Sequence, residues 1–229
     1  MIGKMSRTQK TYKTRYRQTR KSRQTKLSNK TKKYIPPHHK QQQEKEKLQL
    51  ISLSDLDNQQ ITALARITQN VDTMKWIGKG VTWSTADIRT FIADEKKEKT
   101  KLANAHYYTF VLLKDHTPIG FISGRKHNSI ITNPKRDRFN LLLRMFIDPT
   151  LTGQGYGTLI LKLFIDKYSH LIKNIKNKTS ARNLALFSDI NPDNIASIKI
   201  HEKNGFKYLK DFKYGKDNVT KRYIKIISL

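Results

Sequence analysis

Apolar residues are almost missing from the first forty-odd positions and recur in ordered patterns from Leu48 onward. Leu48, Leu50, Ile51 and Leu53 predict a first strand. Ser54 or Asp55 is then a candidate N-cap for a helix carrying Ile61, Leu64, Ala65 and Ile67. Met74–Gly78 is a connector, and Ser84 caps a second helix through Ile88, Phe91 and Ile92 that dissolves into the charged run 95–101. Tyr107–Leu113 and Ile119–Gly124 predict two strands joined across a loop at 114–118. Gly120 inside the second of them signals a bulge or a close backbone approach. After a polar connector at 126–138, Phe139–Ile147 is nearly continuous apolar sequence, the mark of a strand buried on both faces, and Asp148–Pro149 ends it. Tyr156, Leu159, Ile160, Leu163, Phe164 and Leu171 then fall at helical spacing, so a helix begins near Gly155.

Beyond a basic loop at 173–182, Leu184–Ile190 reads as a strand. Asn191 is the expected cap of a final helix with Pro192 at its first position, ending at Gly205 in a left-handed turn. Phe206–Tyr214 and Thr220–Ile227 form a closing hairpin around 215–218. The order β-α-α-β-β-β-α-β-α-β-β gives an α/β fold: a central mixed β-sheet of about six to seven strands flanked by about four helices.

The chemistry suggested by this pattern sits where the buried strand hands over to its helix, at Thr152–Gly153–Gln154–Gly155–Tyr156–Gly157–Thr158. Amide N–H groups converge at a helix N-terminus and the dipole there favours an anion. Glycines 153, 155 and 157 withdraw the Cβ atoms that would hold a phosphate off the backbone. A P-loop would need a lysine beside these glycines, and none stands there. A dinucleotide fingerprint started at Gly153 would need glycine at 158 and an acidic residue about twenty positions on; the chain has Thr158, then Lys173, Asn174 and Lys176. Taken alone, the loop is equally a turn that caps a core helix.

Thr152–Gly157 resembles the acetyl-CoA loop of the GNAT superfamily of N-acetyltransferases, Arg/Gln-x-x-Gly-x-Gly/Ala. It matches at Gly155 and Gly157 and departs at Thr152. Asn191–Ser197 followed by His201–Glu202–Lys203–Asn204–Gly205–Phe206 resembles the second signature of the same superfamily, Asn-x-x-Ala/Ser-x-x-x-Tyr-Glu-Lys-x-Gly-Phe. The two signatures stand in the right order, and the resemblance extends more weakly over about 48–229. It implies a GNAT fold with acetyl-CoA as co-substrate. The amides of Gln154, Gly155, Tyr156, Gly157 and Thr158 would hold the pyrophosphate, with Gly153 part of the same cofactor-binding loop. Met145, Phe146 and Ile147 would offer strand-edge backbone groups to the pantetheine arm, which Asn194 also reaches. The strands 139–147 and 184–190 would have to splay to admit that arm. His201 replaces the tyrosine that protonates the CoA thiolate, and with an ordinary pKa near 6.5 it could keep that role. The plainer reading makes it a partly buried helix residue and leaves water to protonate the thiolate. Asp189, twelve residues earlier, stands where some members carry a general base. Trp76, Trp83 and Phe91 belong to the region that helps form the acceptor groove in this superfamily, or else to plain core.

The implied reaction is direct acetyl transfer to an amine: a protein N-terminus, a lysine or a small amine. The chain has no cysteine, which excludes a thiol nucleophile, disulfides and cysteine zinc sites. Its seven histidines lack metal-ligand spacing, so no metal site is expected. No stretch suits a membrane span or a signal peptide, and an intracellular site, cytoplasmic or nuclear, is expected. The formal charge is +28, and residues 1–43 hold fourteen Lys/Arg and no acid, half of that excess in about a fifth of the chain. Residues 1–47 are therefore expected to be a disordered tail and linker, of which 1–43 binds nucleic acid or another polyanion without sequence preference. A basic packaging protein built on a GNAT fold without catalysis is the alternative reading. Richness in Lys, Asn and Ile suggests an AT-rich genome, in the style of a giant DNA virus.

Overall fold

The computed structural model describes residues 47–78, 80–99, 107–126, 138–175, 183–214 and 218–228. The basic segment 1–43, its linker and most of the connectors expected at 126–138 and 173–182 lie outside these residues. In chain order the elements are β1 (Leu48–Ser52), a 3-10 turn (Leu53–Asp55), α1 (Asn58–Gln69), α2 (Val71–Met74), α3 (Thr85–Lys99), β2 (Tyr107–Lys114), β3 (Thr117–Lys126) and β4 (Arg138–Ile147). A second 3-10 turn (Pro149–Leu151), α4 (Tyr156–Ile175), β5 (Asn183–Ile190), α5 (Ile195–Lys203), β6 (Lys207–Tyr214) and β7 (Asn218–Ser228) follow. The seven strands form one mixed sheet in the order β1-β2-β3-β4-β5-β7-β6, in which β4 and β5 alone are parallel.

Several boundaries differ from the sequence reading. Leu53–Asp55 is a 3-10 turn, and α1 is capped by Asp57. The Asp57 carboxylate accepts from the Gln60 amide at 2.8 Å while the Gln60 side chain accepts from the Asp57 amide at 3.1 Å, a reciprocal box that Ser54 and Asp55 cannot form. Ser84 does cap α3, with Asp87 closing the box from the other side. That helix runs on to Lys99 because Glu95 turns inward, where it accepts from the Thr109 amide at 3.0 Å. The β2–β3 loop shrinks to the two residues Asp115 and His116, both at positive φ, which is the turn whose twist matches a hairpin. Both readings of Gly120 hold. The β2–β3 register slips beside it, and a Cβ there would lie 3.1 Å from the Phe146 carbonyl oxygen and 2.5 Å from Ile147 Cδ1.

Alternation along the strands divides the core in two. Phe110, Leu112, Ile122, Leu141, Leu143, Leu184 and Leu186 pack with the Ile160–Leu161–Phe164–Tyr168 stripe of α4 on one face. Val111, Leu113, Phe121 and Phe146 pack with Ile61, Leu64, Ile88 and Ile92 of α1 and α3 on the other. One departure from regular pairing positions the site. β4 stays paired to β3 as far as Ile147, but its pairing with β5 stops at Leu142 opposite Phe187.

Candidate functional site

Beyond Leu142 and Phe187 the two parallel strands part, so alternate backbone groups of residues 143–147 face a gap instead of a partner strand. Met145 and Ile147 root their side chains in the α4 core while Phe146 roots its ring in the opposite one, 5.0 Å from Phe121 and parallel to it. The open stretch is thus pinned from both faces and its backbone is what it presents.

At the end of β4 the chain turns through Asp148, whose carboxylate accepts from the Thr150 amide at 2.9 Å and the Thr150 hydroxyl at 2.7 Å. The three glycines that follow do different work. Gly153 and Gly155 sit at φ +85 and +87, with open space where a Cβ would point, so conformation is what requires glycine there. Gly157 is needed for packing: a Cβ would lie 2.5 Å from Ile200 Cδ1, so this glycine lets α5 rest on the first turn of α4. Asn204 Nδ2 adds a 3.3 Å hydrogen bond to the Thr158 carbonyl across the same contact. The first intrahelical bond of α4 runs from the Leu159 amide to the Gly155 carbonyl at 3.1 Å. The amides of Gly157 and Thr158 lie ahead of it, aimed toward the loop. The Gln154 amide bends back to the Leu151 carbonyl at 3.4 Å, so among the expected amides it already has a partner within the turn.

The second motif folds in a shifted register. α5 is capped by Asn194, whose Oδ1 accepts from the Ser197 amide at 3.1 Å, while Asn191 accepts from the Asp193 amide at 2.9 Å in the turn before it. Pro192 therefore belongs to that turn and not to the helix. The far end is as expected. Gly205, at φ +78, donates to the Glu202 carbonyl at 2.9 Å and the Phe206 amide to the His201 carbonyl at 3.0 Å. The Phe206 and His201 rings meet edge to face at 5.0 Å, the apolar contact that accompanies this cap.

His201 is 2 % exposed. Its Nδ1 lies 2.8 Å from the Ser197 carbonyl, which can only accept, so Nδ1 carries the hydrogen and Nε2 accepts from the Ser188 hydroxyl at 2.7 Å. Burial pushes the imidazole pKa down to about 4, against the opposing pull of its bond to Ser197. With its pKa lowered the ring is uncharged near neutral pH, both nitrogens are engaged, and its one ring hydrogen, on Nδ1, is held by the Ser197 carbonyl, so His201 is buried more deeply than the plainer reading expected. Asp189 also departs from its expected use. Its two carboxylate oxygens take Arg222 Nε at 2.6 Å and Nη2 at 2.7 Å, with side chains 6 % and 3 % exposed. A carboxylate held at both oxygens is a structural partner, not a waiting base. The structure does not bring the two expected catalytic residues together: Ser188 meets His201 on one face of β5 and Asp189 meets Arg222 on the other. Ser188 and Arg222 went unread in the sequence: Ser188 is a polar residue set in an apolar strand, whereas Arg222 follows Thr220 and Lys221 in a mixed strand and carries no such mark.

On the Phe146 side of the gap, Trp83 makes edge contacts with Phe91, Phe121 and Phe146 at 5.0, 5.4 and 5.9 Å. Its backbone is tied to the end of α1 through Thr68. Phe91 is 42 % exposed, so the aromatic wall runs from solvent to the open strand. Trp76 stands apart from it on the surface beside Lys75. Among the described residues no cluster of His, Asp or Glu could hold a metal ion, and no helix is long and apolar enough to cross a membrane.

Comparison with known proteins agrees with this geometry. A family model described as an acetyltransferase (GNAT) domain matches residues 48–207, more than two thirds of the 229. No curated protein matches the sequence. Among solved structures, the spermidine N-acetyltransferase of Vibrio cholerae in complex with CoA and spermine is similar in fold, with TM-score 0.56, 16 % identity and coverage of 78 % of this chain and 95 % of that one. RimL, a ribosomal L7/L12 alpha-N-protein acetyltransferase in complex with CoA, gives TM-score 0.55, 15 % identity and coverage of 79 % and 94 %. yncA of Salmonella typhimurium with its cofactor acetyl-CoA gives TM-score 0.51, 16 % identity and coverage of 79 % and 93 %.

Proposed function

The chain belongs to the GNAT acetyltransferase family, and from that premise we propose that it transfers the acetyl group of acetyl-CoA directly to an amine: a protein N-terminus, a lysine or a small amine. The observation that carries this reading is the parting of β4 from β5 beyond Leu142, next to the glycine turn that opens α4. The CoA pyrophosphate rests on the loop from Gly153 to Thr158, chiefly on the amides from Gly155 onward. The pantetheine arm lies in the gap against the backbone of Met145–Ile147, and the Asn194 side chain, its Oδ1 committed to the cap, offers its nitrogen to that arm.

The acceptor arrives as a neutral amine. Its lone pair forms the C–N bond to the thioester carbonyl, and amides on the open edge of β4 stabilise the oxyanion. Collapse breaks the C–S bond, and the thiolate and the ammonium exchange protons with solvent at the mouth. Neither His201 nor Asp189 moves a proton in this scheme.

The folded enzyme spans 48–229, residues 1–47 are its tail and linker, and 1–43 serve as a basic arm for nucleic acid or another polyanion. An intracellular site and an AT-rich, giant-virus genome fit the cysteine-free, Lys-, Asn- and Ile-rich composition.

The test is calorimetric titration of acetyl-CoA into full-length protein freed of nucleic acid. Gly155→Glu puts a carboxylate in the cradle at a strained φ, and Gln154→Glu puts one beside it on ordinary backbone. Micromolar binding lost in Gly155→Glu and weakened in the well-folded Gln154→Glu is the expected result. Absence of binding to the wild-type protein sinks the proposal.

A further inference from the structure

Two rows of side chains cross the sheet face that carries the aromatic wall. The strand registers place Leu142 beside Phe187, Ile224 and Lys207 in one row, with Arg125 at its β3 end. The next row runs from Ser123 and Arg144 across the gap to Asp189, Arg222 and Lys210. Arg144 is exposed on the open stretch of β4, two residues and about 7 Å along the strand from Phe146. Lys207 and Lys210 are exposed at the other end of the rows. Asp189 is the single carboxylate among the described strand residues on this face, and Arg222 takes both its oxygens. Among the described strand residues, this side of the gap therefore presents cations beside one aromatic wall, and the one strand carboxylate there is paired with Arg222.

We infer that the acceptor is the amine of a peptide carrying Asp or Glu within its first few residues, and that Arg144 is the residue that reads them. This rests on the acetyl-transfer reading above. A positive rim next to the reacting amine raises the local concentration of an anionic acceptor and repels a polyamine. It also favours the neutral, reactive form of the incoming amine, because a second positive charge beside Arg144 is costly. Span argues for a peptide over a free amino acid. From β4 across β5 and β7 to β6 is three strand spacings, at least about 14 Å, which an extended peptide covers with about four residues.

The test uses the full chain, acetyl-CoA and peptides that share length and first residue but carry acidic, neutral or basic residues at positions two to five. Spermidine and glutamate complete the panel, with CoA release as the readout in about 0.15 M salt, where the Debye length is about 8 Å. The acidic peptide is expected to exceed the basic one by about tenfold or more in kcat/KM. Arg144→Glu is expected to erase or invert that ratio, mainly through KM, and Arg144→Lys to retain most of it. The basic N-terminal segment is the same in all three proteins, so the difference between them belongs to position 144. Binding of labelled acidic peptide, followed by anisotropy with CoA present, gives the same comparison without turnover. Equal use of acidic and basic peptides, a ratio indifferent to Arg144→Glu, a preference for glutamate or spermidine, or transfer to no acceptor at all overturns the inference. Acetyl-CoA titration run alongside separates this failure from that of the broader reading, which falls only if acetyl-CoA itself does not bind.

Discussion

Ser188 and Asp189 are neighbours on β5, and the two sides of the sheet treat them in opposite ways. Toward α5, Ser188 gives its hydrogen to an uncharged imidazole inside a packed core. Toward the face that carries the aromatic wall, Asp189 is clamped by a guanidinium that also lies 3.8 Å from the centre of the Phe212 ring. One side holds the split strand with neutral hydrogen bonds and shape, the other with a buried charge pair. The difference matters because both sit where β5 leaves β4, so each fixes one wall of the gap. It also teaches that a residue type suited to acid–base work need not be free to do it: burial lowers the His201 pKa and Arg222 occupies Asp189.

The sharpest way to break this contrast is to unpair the charge. Arg222→Met leaves Asp189 buried without its partner and is expected to cost about 3–5 kcal/mol of stability. Asp189→Leu combined with Arg222→Met should recover most of that loss, since an apolar pair of similar volume avoids the desolvation of both ions. Urea unfolding of the three proteins checks it. A double variant as unstable as Arg222→Met would show that the pair contributes more than mutual neutralisation.

A smaller effect separates the neutral side. The unfolded chain protonates an ordinary histidine near pH 6.5 and the folded chain protonates His201 only at about 4, so between those values the unfolded state binds the extra proton. The stability contribution is full above pH 6.5, falls as the pH drops toward 4 and levels off below it, a change of about 3 kcal/mol. His201→Gln keeps an acceptor for Ser188 and removes the titration. The wild type minus variant difference in unfolding free energy should fall between pH 7.5 and 4.5, and a flat difference would return the proton to His201.

The sequence displayed the parts of this site that follow from backbone rules. Strand, glycine turn and helix at 139–168 were legible because a doubly buried strand, left-handed glycines and a 3.6-residue stripe each leave a local mark. Gly205 was legible for the same reason. What the sequence hid depends on pairing between distant residues. Arg222 meets Asp189 only through the β5–β7 register, and Arg144 becomes a rim residue only because β4 and β5 stop pairing two positions before it. The false cap at Asn191 came from a locally sound argument, proline at a first helical turn, that lost to a cap three residues later. His201 matched a motif position, but the motif does not record burial.

The smallest effect distinguishes the two asparagines and sharpens the neutral side further. Asn194→Ala removes the bond to the Ser197 amide and is expected to lower stability by about 1 kcal/mol, whereas Asn191→Ala disturbs only the preceding turn and should cost a few tenths. Asn194→Asp is more informative than either. Aspartate caps as well as asparagine, so the helix, the Gly157 contact and the thermal midpoint should all persist. Aspartate cannot donate, however, and its negative charge would face the pantetheine arm, so acetyl-CoA binding should weaken by about tenfold, the scale of one lost hydrogen bond with an acceptor left unpaired. Unchanged affinity in Asn194→Asp, with stability intact, would reduce Asn194 to a cap. The gap would then be specified by backbone alone, through the parted strands and the first turn of α4.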